Sequence, residues 1–265
     1  MTVMLRRLAN GRCRARDWFS LSIVTALSGC HAAPTFHGTA VPRATGDFGS
    51  ELRWETDVIL LQPIAVPKEA GLSTEEFVAA LRDEVSSWNS ALAGCSVPRL
   101  QVADAPSRGA ARVDGRNVVT LRTGAWRSMD LRGESAGYEP GLQAITQVHT
   151  AVNARAPHDG DVREADVVIN AVDFRWSADG TSPNTRSLRA VLGHELGHVL
   201  GLDHVCAKPG EQTRAAKPEC MGTLHAELAS SIMYPDPTEA GRSLTLAPGE
   251  DVRATLCAAQ SRSRP

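Results

Sequence analysis

The chain has 265 residues, with 28 Lys and Arg against 30 Asp and Glu, so its net charge is −2 with neutral histidines. That balance excludes a strongly basic nucleic-acid binder, which needs an excess of cations to meet phosphates. With 42% apolar and 22% charged residues the composition is that of a soluble globular protein, long enough for one sizeable core or two small ones.

The first 30 residues read as an export segment. Arg6, Arg7, Arg12, Arg14 and Arg16 precede an apolar run from Trp18 to Leu27, which ends in Leu27-Ser28-Gly29-Cys30. A basic region, a short apolar region and small residues before a cut make a signal peptide, expected over 1–29. The L-S-G-C ending resembles the bacterial lipoprotein signal, which implies lipidation of Cys30 and an outer-membrane or other envelope location. A conventional signal that releases a soluble secreted protein is the alternative. Removing 1–29 takes five arginines and one aspartate, so 28 basic and 30 acidic side chains become 23 and 29, a net of about −6. No nucleic-acid partner is expected. Residues 30–50, rich in Ala, Thr, Gly and Pro, read as a tether, and 51–260 as the folded domain.

Within that domain, apolar spacing from Leu52 to Val66 predicts a strand. Ser73-Thr74-Glu75-Glu76 carries a capping-box pattern and predicts a helix with Phe77, Leu81, Val85, Trp88 and Leu92 on one face, closed by Gly94. Short strands follow at Leu100–Val102 and at Asn117–Leu121, the second bounded by the Asp114-Gly115 turn. Arg127–Gly141 lacks periodicity and reads as a loop. Leu142–Val152 predicts a further strand, Ala156–Asp161 a turn, and Asp166–Asn170 a compact apolar strand. After a loop over Ser177–Asn184, Ser187 is a suitable N-cap for a helix running to about Leu200. The chain then reads as irregular until a last helix, opened by Pro248, Glu250 and Asp251 and carrying Val252, Leu256 and Cys257.

The second helix holds the densest chemistry. His194-Glu195-Leu196-Gly197-His198-Val199-Leu200-Gly201-Leu202-Asp203-His204 reads H-E-x-x-H-x-x-G-x-x-H. Histidines four apart share a helix face and can present two ring nitrogens to one ion. Gly201 can take positive φ, end the helix and turn the chain so that His204 supplies a third nitrogen. Three protein ligands leave a tetrahedral zinc one open position, the arrangement of a catalytic site. Glu195 is placed to take a proton from a metal-bound water. An ordinary amphipathic helix with solvated histidines does not require the glycine and third histidine at those offsets. His225 reads as a loop residue. His149, His158, Asp159 and Asp161 read as a surface turn rather than a second metal site, and Asp203 either ends the helix or orients a histidine.

Four cysteines remain beyond Cys30: Cys95, Cys206, Cys220 and Cys257. In an exported chain they suggest two disulfides with three connectivities. The expected pairing is Cys206–Cys220, bracing the segment after His204, with Cys95–Cys257 tying the early helix to the late one.

The extended zinc motif resembles the metzincin class of zinc peptidases, and Ser231-Ile232-Met233-Tyr234-Pro235 resembles the methionine turn of that class. The M-Y-P ending and the glycine-to-histidine spacing look most like the matrixins and their bacterial relatives. The resemblance implies an α+β fold. It would have a twisted, mixed five-stranded sheet with one antiparallel edge strand, an early helix, an active-site helix and a C-terminal helix. By that ordering Leu142–Val152 would be the strand against which a peptide lies. Met233 would be an apolar floor under the histidines, with Tyr234 and Pro235 shaping a substrate pocket. The inhibitory cysteine of animal matrixin prosegments has no counterpart, the His204–Met233 segment is long, and no extra tyrosine ligand is carried over because Pro235 stands in its place. No motif supports a structural calcium ion.

The expectation is a zinc-dependent endopeptidase with one catalytic Zn2+ held by His194, His198 and His204, and Glu195 as general base. Its partner would be a peptide or protein substrate, its membrane contact only an N-terminal lipid, and its state a monomer. A catalytically weak binding or adhesion lipoprotein on the same scaffold is the alternative, but Glu195 is not needed to hold zinc.

Overall fold

In the computed structural model, the described residues are 44, 51–124, 126, 138, 141–150, 160–208, 217–220, 228–236 and 248–260. The expected signal peptide, the lipidation site Cys30, most of the tether, His158, Asp159 and His225 lie outside them. All of the described residues fall within one compact unit, Gly38–Pro265.

The strands are β1 (Arg53–Trp54), β2 (Val58–Pro63), β3 (Arg99–Val102), β4 (Asn117–Arg122), β5 (Ala144–Thr150), β6 (Asp161–Asn170), β7 (Trp176–Ser177) and β8 (Arg186–Ser187). The helices are α1 (Thr74–Ala91), α2 (Leu188–Val199) and α3 (Glu250–Gln260), with a 3-10 turn at Lys68–Ala70. The main sheet is mostly parallel: β6 pairs parallel with β1 and β4, and β2 pairs parallel with β3 and β4. β5 runs antiparallel to β6 and pairs with no other strand among the described residues.

The expected five strands are therefore six. The single strand foreseen over Leu52–Val66 is divided by the exposed residues 55–57 into β1 and β2, which pair with different neighbours. β6 begins at Asp161, where a turn was expected, and runs to the predicted end at Asn170. Its polar first half hides the strand pattern because Glu164 and Asp166 are buried as hydrogen-bond acceptors. Glu164 Oε2 accepts the N–H groups of Asp114 and Gly115, and Asp166 accepts those of Arg112 and Val118. Burial is tolerable for these carboxylates because backbone donors replace water. The loop read over Ser177–Asn184 is flanked by a small second sheet, β7 paired with β8.

β6 is buried on both faces, as a strand inside a parallel sheet must be. Val167 and Ile169 join Val119 and Leu121 in the main core, beneath Phe77, Leu81 and Trp88 of α1 and Leu192, Leu196 and Val199 of α2. Val168 and Val118 point the other way, into a smaller cluster with Ile64, Ala111, Trp126 and Tyr138. The period of two along each strand divides the two layers. Both helices start as their sequences predict. Ser73 and Glu76 form a reciprocal capping box at α1, and the Ser187 hydroxyl accepts the Ala190 N–H at α2.

Two disulfides, Cys95–Cys257 and Cys206–Cys220, are formed. They suit an oxidising compartment outside the cytoplasm. Among the described residues no helix is long and apolar enough to cross a membrane.

Candidate metal centre

α2 stops where its glycine lets it. Leu200 caps the helix and Gly201 takes a left-handed φ of 85°. The Gly201 N–H donates to the His198 carbonyl and the Leu202 N–H to the Gly197 carbonyl, both at 2.9 Å. This pair of bonds is the Schellman ending, which satisfies the last carbonyls while the chain reverses. The reversal carries His204 back over the helix face that holds His194 and His198.

The three Nε2 atoms lie 3.1 to 3.2 Å apart. Nitrogens about 2.0–2.1 Å from a tetrahedral zinc would stand about 3.3 Å from one another, so the spacing fits. The protonation pattern points the same way. His194 Nδ1 lies 2.8 Å from the Ile232 carbonyl and His198 Nδ1 lies 2.8 Å from the Leu202 carbonyl. A carbonyl can only accept, so each Nδ1 carries a proton and each ring is oriented with its Nε2 turned inward. Lone pairs converging this closely repel unless a cation sits between them. His204 is held in its neutral, ligand form: burial first, then the neighbouring His198 and His194, push its pKa well below the ordinary histidine value. Among the described residues this is the one cluster of three or more His, Cys, Asp or Glu side chains with ligand atoms close enough to share an ion.

Glu195 faces the same cleft and is only 5% exposed. Burial pushes its carboxyl pKa up, while the His198 imidazole and a hydrogen bond from the Thr146 hydroxyl pull it down. The cleft, of about 290 Å³, is bounded by α2, by Ala144, Thr146 and Val148 of β5, and by Pro235 and Asp236. A 2.5 Å hydrogen bond from Gln143 Nε2 to Asp236 Oδ1 ties the start of β5 to that opposite wall.

The Ser231–Pro235 turn packs against α2. Met233 is fully buried, its carbonyl accepts the Val205 N–H at 3.0 Å, and its N–H donates to the Ser231 hydroxyl. Pro235 and Asp236 line the cleft, whereas Tyr234 is buried in the main core. Asp203 stabilises the turn. Its Oδ1 accepts the His204 N–H at 2.7 Å and pairs with Lys217 at 2.5 Å. Lys217 belongs to a segment clamped beside His204 by Cys206–Cys220 and by the pairing of Ala207 with Glu219. His149, set apart from this cluster, is opposite Glu164 in the β5–β6 register.

Sequence reasoning missed three contributors. Thr146 sits in an unremarkable strand pattern and has no motif. Trp88, read only as a core residue, donates its indole N–H to the Gly193 carbonyl of α2 at 2.9 Å. Gly197 was legible in principle, because a glycine inside a helix costs stability and so asks for a packing reason. A Cβ at 197 would lie 2.2 Å from Met233 Sδ and 3.3 Å from the Trp88 ring. We therefore expect Gly197→Ala to lose about 1–3 kcal/mol in denaturant unfolding through overpacking under the histidines. A loss below about 0.5 kcal/mol would mean that Met233 can retreat freely.

No family model matches the chain, and no curated protein matches it. Among solved structures it is similar to the crystal structure of metalloproteinase-II from Bacteroides fragilis. The identity is 15% and the TM-score 0.34, over 77% of this chain and 55% of that one. The chain thus spans little more than half of that protein's structure.

Proposed function

We propose that this protein is a zinc-dependent endopeptidase of the matrixin-like metzincin type. The observation that carries the reading is the convergence of three histidine lone pairs beside a buried carboxylate that is not itself one of the converging donors. His194, His198 and His204 would hold the zinc. A bound zinc supplies a positive charge for the carbonyl oxygen and a water of lowered pKa.

The chain's own groups account for the rest. Glu195 takes a proton from the attacking water and delivers it to the leaving amine nitrogen as the C–N bond breaks. The N–H and C=O groups on the side of β5 away from β6 can receive an extended peptide as an added strand. Its segment across the cleft from β5 would meet Pro235 and Asp236. That mode favours unfolded or loop segments over compact domains, because only an extended backbone can complete the ladder. The same reading includes export under the signal at 1–29, lipidation of Cys30, a tether over 30–50 and a monomeric catalytic domain over 51–260.

The direct test is digestion of casein by the purified protein. Cleavage should cease with 1,10-phenanthroline and return when zinc is added back, with about one zinc per chain by atomic absorption. Chelator-insensitive cleavage, or no cleavage by zinc-loaded protein, would overturn the proposal.

A further inference from the structure

Peptide hydrolysis at this centre requires a base, but it does not by itself require anything to hold that base. Here something does. The hydroxyl of Thr146, on β5, lies 2.5 Å from Glu195 Oε2 and 3.3 Å from the Glu195 backbone carbonyl. The Thr146 hydroxyl is the donor, and the shorter distance selects Oε2 as its acceptor. A separation of 2.5 Å lies at the short end of the range for O–H···O bonds.

The two residues stand on elements that flank the cleft from different sides. Glu195 is on α2, whose buried face is locked in the main core. Thr146 is on β5, where it is opposite Val167 of β6. As a β-branched residue in a paired strand it has little χ1 freedom. Its strand neighbours along the cleft, Ala144 and Val148, are apolar. A valine would fill the same volume and suit the strand equally well, so the hydroxyl is what distinguishes this position.

Resting on the hydrolytic reading above, we propose that Thr146 is a positioning residue. Its hydroxyl clamps Oε2 of Glu195, so that Oε1 carries the proton, and it fixes the base to the strand along which the peptide lies. The proton leaves the attacking water for Oε1 and passes from Oε1 to the leaving nitrogen. The Thr146 proton stays on its own oxygen throughout. A carboxylate free to swing would spend part of its time out of reach of the water, and a misplacement of about 1 Å can cost up to about 100-fold in rate.

Thr146→Val removes the donor at nearly constant volume, and Thr146→Ser keeps it. With the zinc-loaded protein and a fluorogenic peptide, we expect Thr146→Val to lower kcat about 10- to 100-fold with KM within about twofold. Thr146→Ser should stay within about threefold of wild type in kcat, and all variants should bind one zinc. A readout without turnover is the carboxylate carbon resonance of Glu195 in 13C-labelled protein, identified by its disappearance in Glu195→Gln. It should move in Thr146→Val and stay in place in Thr146→Ser. The proposal is overturned if Thr146→Val matches wild type, if Thr146→Ser is as slow as Thr146→Val, or if the loss lies in KM or in zinc content. A wild-type protein that cleaves nothing overturns the hydrolytic reading along with it. Active wild type with an unaffected Thr146→Val removes this inference alone.

Discussion

Replacing Glu195 by glutamine is expected to leave one zinc per chain in place and to cut turnover by about 10²- to 10⁴-fold, the range that general acid–base catalysis supplies. That factor corresponds to about 3–5 kcal/mol of transition-state stabilisation. Glutamine keeps the length of the side chain and an oxygen that can still accept from the Thr146 hydroxyl. What it loses is the ability to take up and release a proton. Zinc should stay because the converging donors are His194, His198 and His204, two of them oriented by the Ile232 and Leu202 carbonyls rather than by Glu195. The measurement is kcat/KM on a fluorogenic peptide with zinc quantified in the same samples. A glutamine variant within tenfold of wild type would remove Glu195 from the role of base. Loss of zinc together with activity would recast it as part of the metal shell.

The two disulfides are expected to fail in different ways. Cys95–Cys257 joins residues 162 apart in the chain, and Cys206–Cys220 residues 14 apart. In the chain-entropy account a cross-link over about 15 residues contributes about 3 kcal/mol, and one over more than 100 contributes about 5. The long bridge ties the residues just after α1 to α3, beside the bond from Arg253 to the Ala91 carbonyl. The short bridge begins two residues after His204 and holds Lys217 against Asp203, which in turn accepts the His204 N–H. Cys95→Ser with Cys257→Ser should therefore cost more in unfolding free energy, measured without metal, yet leave zinc affinity near that of wild type. Cys206→Ser with Cys220→Ser should cost less stability but weaken zinc binding about 10- to 100-fold, as loss of groups that orient a ligand does. Equal zinc dissociation constants in the two double variants would show that the clamp beside His204 is not needed to hold the third ligand.

The parts of the site that were legible in advance share a physical cause: they are local. Histidines four apart on a helix, a glycine that can end it and a serine that can cap it are all decided within about one or two turns of chain. The Schellman ending at Gly201 and the capping box at Ser73 fall where the residue types demand. β6 was half hidden for the opposite reason. Glu164 and Asp166 look like surface residues until the N–H groups of Arg112, Asp114, Gly115 and Val118 arrive from some 50 positions earlier in the chain.

By itself, then, the sequence determined which side chains could face one ion, where α2 starts and stops, and which apolar stripes make a core. Those follow from helix geometry, backbone sterics and hydrophobic periodicity, none of which needs a distant partner. Only the tertiary structure decided that Thr146 meets Glu195, that Met233 fills the space left by the missing side chain of Gly197, that Asp236 rather than Tyr234 lines the wall, and that the Lys217 segment braces His204. Most of these contacts join residues far apart in the chain, and all depend on how separate elements and segments pack.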